Sequence, residues 1–194
     1  MKKALTTNVY EVCANANKFL CVQQNDLRYF NGRFEGERMA DGWTQPPFEI
    51  LNKSKKLADF TSWQIGSRTF LISGHAKNLI QDICRNDVEF LPFATIKGVD
   101  LFAVNVLKRI SVVDWLACSG GAKITCGPFS IRNDLSTLPL LFKDTGNPAT
   151  TFASDALGQI AVEHGLTGLQ LADPRKSILK MIVHGQPINE FFGL

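Results

Sequence analysis

Twice along the chain the residues spell the same order of elements: a short apolar strand, a serine, an amphipathic helix and a second strand. The first copy is TFLIS, then Ala76, Leu79, Ile80, Ile83 and Cys84 at helical i, i+3, i+4, i+7, i+8 spacing, then VEFLPF. The second is TFAS, a helical pattern from Asp155 to His164, and GLQL. This order constrains the fold more than any other feature, because a helix set between two short strands must bury its apolar stripe against a sheet. In each copy the serine precedes the first helical turn, where its oxygen accepts an otherwise unpaired N–H. Ser73 and Ser154 are both expected to be N-caps, each worth about 1 kcal/mol. Leu157, Ile160 and Ala161 form the buried stripe of the second helix, His164 lies in its last turn, and Gly165 supplies the left-handed residue that ends it. The likeness of the two copies does not establish a sequence repeat.

The rest of the chain fits around these units. ALTTNVYEV, KFLCV and RYFNGRF are rich in β-branched and aromatic residues, and Asn31-Gly32 favours a tight turn, so an N-terminal antiparallel hairpin is expected. VEFLPFAT and VDLFAVNVL flank Ile96-Lys97-Gly98 and predict a second hairpin, with Pro92 on an edge or at a bulge because it lacks a ladder N–H. ISVVDW is a candidate extension of the sheet. Between Ser119 and Pro148 the run of Gly120, Gly121, Gly127, Pro128, Pro139, Gly146 and Pro148 excludes one long element; short strands at ITCGPFSI and LPLLFKD make it a folded excursion and a natural place for a binding loop. DPRKSILKMIVHG predicts a third helix, with Asp173 as cap, Pro174 at its first position, and Gly185 and Pro187 after its end. The sum is a single α+β domain over residues 1–194, with a mainly antiparallel sheet, about three helices and two strand–helix–strand units.

Charge and composition select against several functions. Twenty-one Lys and Arg against 18 Asp and Glu leave a net charge of +3, short of the strongly basic balance of a nucleic-acid binder. The densest basic stretch, Lys53, Lys55 and Lys56, has no interleaved aromatics for base stacking and reads as a solvated loop. Thr6, Thr7, Asn8 and Glu11 interrupt any apolar signal core, and no apolar run approaches the roughly 20 residues that span a bilayer, so a cytoplasmic protein without membrane contact is expected. Cys13, Cys21, Cys84, Cys118 and Cys126 are odd in number and lack C-x-x-C spacing, which predicts reduced thiols in place of a disulfide framework.

Motifs that carry chemistry are weak. CSGGAK places Gly120 beside Gly121 and Ile124 after Lys123, so it lacks the spacing and the hydroxyl residue of a phosphate loop, and Ser119 lacks the preceding glycine of a nucleophile elbow. His75, His164 and His184 show no zinc-ligand spacing, and no metal or cofactor is expected. Cys118 or Cys126 meeting His164 or His184 in the folded chain leaves open a small enzyme or ligand-binding domain with a Cys/His site. RFEGERMADGW mixes both charge signs with a large aromatic, the composition of an anchor ringed by selective charges, and makes Arg33, Glu35, Glu37, Asp41 and Trp43 the candidate partner-binding residues. The competing reading places Trp43 in the core and the charges on a solvated face.

TFLIS with its helix, EFLPF, VDLFAVNVL ending near Asp114, LPLLFKD and FASDALGQIAVEHGLTGLQL, with Trp43, Pro46-Pro47 and Ala58-Asp59-Phe60, resemble the bacterial polymorphic-toxin immunity protein family eleven, formerly a domain of unknown function. The likeness covers roughly residues 26 to 172. The resemblance implies a small cytoplasmic protein, made beside a toxin, that blocks the toxin by direct binding and is not an enzyme. No catalytic residues come with it. Where the family often places Arg after a Phe, Lys143 follows Phe142 here.

Overall fold

The computed structural model describes residues 8–30, 32–63, 69–118 and 128–176. The chain opens with β1 (Val9–Ala14) and β2 (Cys21–Gln24), makes 3-10 turns at Leu27–Phe30 and Ala40–Gly42, and continues through β3 (Phe48–Leu51) and β4 (Phe60–Trp63). β5 (Leu71–Ser73) leads into α1 (Gly74–Cys84), followed by β6 (Val88–Ile96) and β7 (Val99–Val106). Then come β8 (Arg109–Ile110), β9 (Leu141–Asp144), β10 (Thr151–Ser154), α2 (Asp155–Glu163) and β11 (Leu169–Ala172). The strands form a six-stranded sheet in the order β3-β2-β4-β5-β7-β6 and a five-stranded sheet in the order β11-β1-β10-β9-β8. Only β2 with β4 and β8 with β9 pair in parallel. The fold is therefore α+β, with two helices among the described residues and two mixed, mostly antiparallel sheets, one of them a curled half-barrel. No helix among the described residues is long and apolar enough to cross a membrane.

Both strand–helix–strand units are present, and they share more than element order. β5 and β6 run parallel on either side of β7, while β10 and β11 run parallel on either side of β1. The registers coincide: Ser73 faces Leu101 as Ser154 faces Val9, and Ile72 faces Phe102 as Ala153 faces Tyr10. Phe60 opposite Ile72 repeats as Leu141 opposite Ala153, and Val88 opposite Val106 repeats as Leu169 opposite Ala14. From Phe60/Leu141 through Ser73/Ser154 to Val88/Leu169 the counterparts keep one constant offset, 81 positions. Even the parallel neighbours match, β2 beside β4 and β8 beside β9. The described residues thus hold one topological unit of five strands and a helix twice, with β3 added to the first, and the N-terminal strand β1 fills the place in the second that β7 fills in the first.

Strand alternation then distributes the apolar residues. One face of each sheet, with Ile80 and Cys84 of α1 and Leu157 of α2, contributes to a shared cluster that includes Val12, Phe60, Ile72, Val104, Leu141 and Ala153. The opposite face of the six-stranded sheet (Trp63, Leu71, Leu101, Ala103) is covered by residues 29–43, including Phe30 and Phe34. The opposite face of the five-stranded sheet (Val9, Phe142, Phe152) is covered by the segment after β8, through Val112, Val113, Phe129 and Ile131. Of the expected excursion, residues 119–127 lie outside the described residues, and Phe129 and Ile131 beyond them pack on this face. Asp144 anchors the segment between β8 and that excursion, accepting from the backbone N–H of Val112 and Val113 at 2.9 Å each and from the Trp115 indole at 2.9 Å.

The hairpin at 88–106 has the expected two-residue turn, since Lys97 and Gly98 both take positive φ (52° and 78°), and Pro92 lies on edge strand β6 at a register shift. The N-terminal hairpin is a correction. β1 and β2 belong to different sheets, and Leu27–Phe30 is a 3-10 turn. That turn sets Tyr29 and Phe30 against Trp63, at 6.1 and 5.1 Å between ring centres, which strand alternation would prevent by pointing neighbours to opposite faces. Asn31 lies outside the described residues. ISVVDW adds only an isolated bridge, Val113 to Ile131, beyond β8. Asp173 accepts from the N–H of Arg175 at 3.0 Å, and Pro174 to Lys176 make a turn there; the expected third helix beyond Lys176 lies outside the described residues.

Candidate functional site

The segment from Arg33 to Trp43 lies over the outer face of the β6–β7 hairpin and is fixed there by side chains of that hairpin. Glu89 of β6 and Asn105 of β7 face each other in register. The buried Asn105 amide donates to the Glu37 carbonyl at 2.7 Å and to Glu89 Oε2 at 2.9 Å, and the same Oε2 accepts from the Met39 N–H at 2.8 Å. Arg38 pairs with the other Glu89 oxygen at 3.6 Å. Arg109 of β8 adds a second clamp, bonding the Glu35 carbonyl and the Glu37 carboxylate. Gly36 makes that approach possible: it has φ of +107°, and a β-carbon there would collide with the Arg109 guanidinium. A buried amide and a nearly buried carboxylate are costly unless bonded, so the polar pair and the backbone it holds stabilise one another.

Of the residues expected to bind a partner, the structure brings Glu35 and Glu37 together on Arg109. Arg33 is exposed and stacks its guanidinium 4.6 Å from the centre of the Tyr29 ring. Asp41 is exposed in the Ala40–Gly42 turn. Trp43 is half-buried: its indole N–H donates to the Pro92 carbonyl at 2.6 Å, and its ring meets Phe34 and Trp63 nearly edge-on. The outcome is a charged rim on a rigid aromatic base. Sequence reasoning missed Glu89, Asn105 and Arg109, which hold the rim. Asn105, a lone amide in the apolar run FAVNVL, was the one available signal.

Neither a family model nor a curated protein matches the chain.

The groups considered for catalysis are placed otherwise. Cys118 is buried and its sulfur accepts from the Ser130 N–H at 3.3 Å. Burial, and then the charge of Glu11 or Asp87, pushes the thiols of Cys13 and Cys84 up to about 12, away from the thiolate a nucleophile needs. His75 and His164 are exposed at the start of α1 and past the end of α2. Cys126, His184 and residues 119–123 of the glycine-rich stretch lie outside the described residues. No group of three or more His, Cys, Asp and Glu among the described residues could hold a metal ion. Lys143 is fully buried on β9 with its ammonium 3.2 Å from the Thr151 hydroxyl, so the position is interior.

Proposed function

We propose that this chain is a cytoplasmic immunity protein that binds and neutralises a cognate bacterial toxin, and that Arg33, Glu35, Glu37, Asp41 and Trp43 contribute to the contact. The resemblance of its motifs to immunity family eleven suggests the class. The observation that carries the site is the pinning of the Arg33–Trp43 segment by Glu89, Asn105 and Arg109. A preorganised backbone lowers the entropy cost of association, and charges of both signs reject partners that do not match them. The arrangement offers shape and charge, which suits an inhibitor.

The test is to co-express the chain with the product of the gene encoded beside it, score growth, and measure affinity for that product with single alanine replacements at Arg33, Glu35, Glu37 and Asp41. Protection is expected, and at least one replacement should weaken binding about tenfold while circular dichroism stays unchanged. Absence of binding overturns the function. Wild-type affinity in all four variants overturns the surface alone.

A further inference from the structure

The two units differ at one place on their helices, and the first shows what the second is missing. In the first, Lys77, four residues past the cap serine, sets its ammonium 4.4 Å from the centre of the Phe102 ring. Phe102 is the β7 residue facing Ile72. In the second unit Lys77 becomes Gly158, and Phe102 becomes Tyr10, the β1 residue facing Ala153. With no side chain at position 158, a cleft of about 570 Å³ opens over Tyr10, bounded by Asp155, Val162, Glu163 and Leu171 as well. Its floor is apolar and aromatic; its charged groups are both carboxylates.

We infer that this cleft is a binding site for a lysine side chain presented by a partner protein, replacing from outside the ammonium that Lys77 supplies internally to the first unit. Leu171 and Val162 suit the methylene stem, the Tyr10 ring attracts the cation through its face, and Asp155 and Glu163 supply opposite charge. Tyr10 lines the cleft beside Asp155, whose Oδ2 accepts from the Asn8 N–H at 3.2 Å. Burial, followed by the Asp155 charge, raises the Tyr10 phenol and keeps it neutral. An anion meets two carboxylates here, and a purely apolar side chain leaves them unused. The inference goes beyond the proposed function, because it does not depend on the partner being a toxin.

The test is a titration of the full-length, 15N-labelled protein with Nα-acetyl-lysine amide, against Nα-acetyl-norleucine amide as the uncharged control. Saturable shifts are expected at the amides of Tyr10, Gly158, Val162 and Leu171, with the norleucine compound binding about tenfold more weakly. Gly158→Lys should abolish the lysine response by filling the cleft as Lys77 fills its counterpart. A β-carbon at 158 meets only the flexible end of Leu171, at 3.0 Å, and lysine favours a helix over glycine, so folding should be retained. Tyr10→Leu keeps the apolar floor, removes the ring and should also lose the response. Equal shifts from both compounds, shifts spread over acidic residues elsewhere, or an unchanged response in either variant overturns the inference.

Discussion

Ser73 and Ser154 hold the same position in two units of one topology, with matching backbone bonds: Ser73 N–H donates to the Asp59 carbonyl at 2.9 Å and Ser154 N–H to the Leu140 carbonyl at 3.3 Å. Their hydroxyls differ. Ser73 Oγ accepts from the Ala76 N–H at 3.1 Å and donates to Asp59 Oδ1 at 2.7 Å. Ser154 stands at the N-cap with extended backbone, but its side chain makes no cap bond and its buried Oγ has no partner. The expectation that both serines cap their helices is therefore corrected for Ser154. The units also differ 14 residues upstream of each serine, where the first has a carboxylate, Asp59, and the second has Leu140 in the apolar core. What the units share is strand register and apolar alternation; the polar bonds are particular to each.

Asp59 also joins the units. Its second oxygen accepts from both the N–H and the hydroxyl of Thr167, at 2.9 and 2.8 Å, in the turn between α2 and β11. One carboxylate therefore steadies the cap of α1 and the far side of the second unit. The covering segments divide in a similar way. Residues 29–43 and the described part of the stretch after β8 cover corresponding sheet faces, so the Arg33–Trp43 surface and the residues Val112, Val113, Phe129 and Ile131 sit in comparable places on their units.

The largest expected effect comes from making the first unit resemble the second. Asp59→Leu removes the Thr167 bonds and leaves the Ser73 hydroxyl without its acceptor, an expected loss of about 2 kcal/mol or more in urea unfolding. Wild-type stability in this variant would show that the units are joined by apolar packing alone.

The same carboxylate makes the comparison depend on pH. Burial pushes Asp59 up, but the bonds from Thr167 and Ser73, with a lesser contribution from the nearby His75, outweigh it and hold the carboxyl below its ordinary value. A carboxylate depressed in the folded state contributes stability above its unfolded pKa of about 3.9 and loses it as the pH falls through the lower, folded value. The stability difference between wild type and Asp59→Asn should therefore be constant from pH 7 to about pH 5 and shrink toward pH 3. A difference that does not change with pH assigns the effect to shape and not to charge.

Much of this architecture was legible in the residues, and its limits are physical. The apolar spacing at Ala76–Cys84 and Leu157–Ala161, the Lys97-Gly98 turn, Pro92 at an edge and Gly165 at a helix end are local features, determined by neighbours within a few positions. The place of β1 between β10 and β11 was not legible, because Val9 meets Ser154 from the far end of the chain and no local residue records such a pairing. For the same reason the charged segment around Arg33 could be named from composition, whereas Glu89, Asn105 and Arg109 could not be joined to it. That Ser154 makes no cap bond was not legible either, because its sequence neighbourhood is that of a cap.

The smallest expected effect is the sharpest test of that last point. Ser73→Ala deletes a working cap and one bond to Asp59, so it should cost about 1–2 kcal/mol. At Ser154 the same change removes a buried hydroxyl with no partner and leaves in place the methylene that packs beside α2, so stability should change by no more than about 0.5 kcal/mol or rise slightly. Urea unfolding of the two variants side by side checks both values against the same wild type. A cost at Ser154 equal to that at Ser73 would mean that its hydroxyl bonds in solution, through a shift of α2 or an ordered water, and that the two units are alike in their caps as well as in their topology.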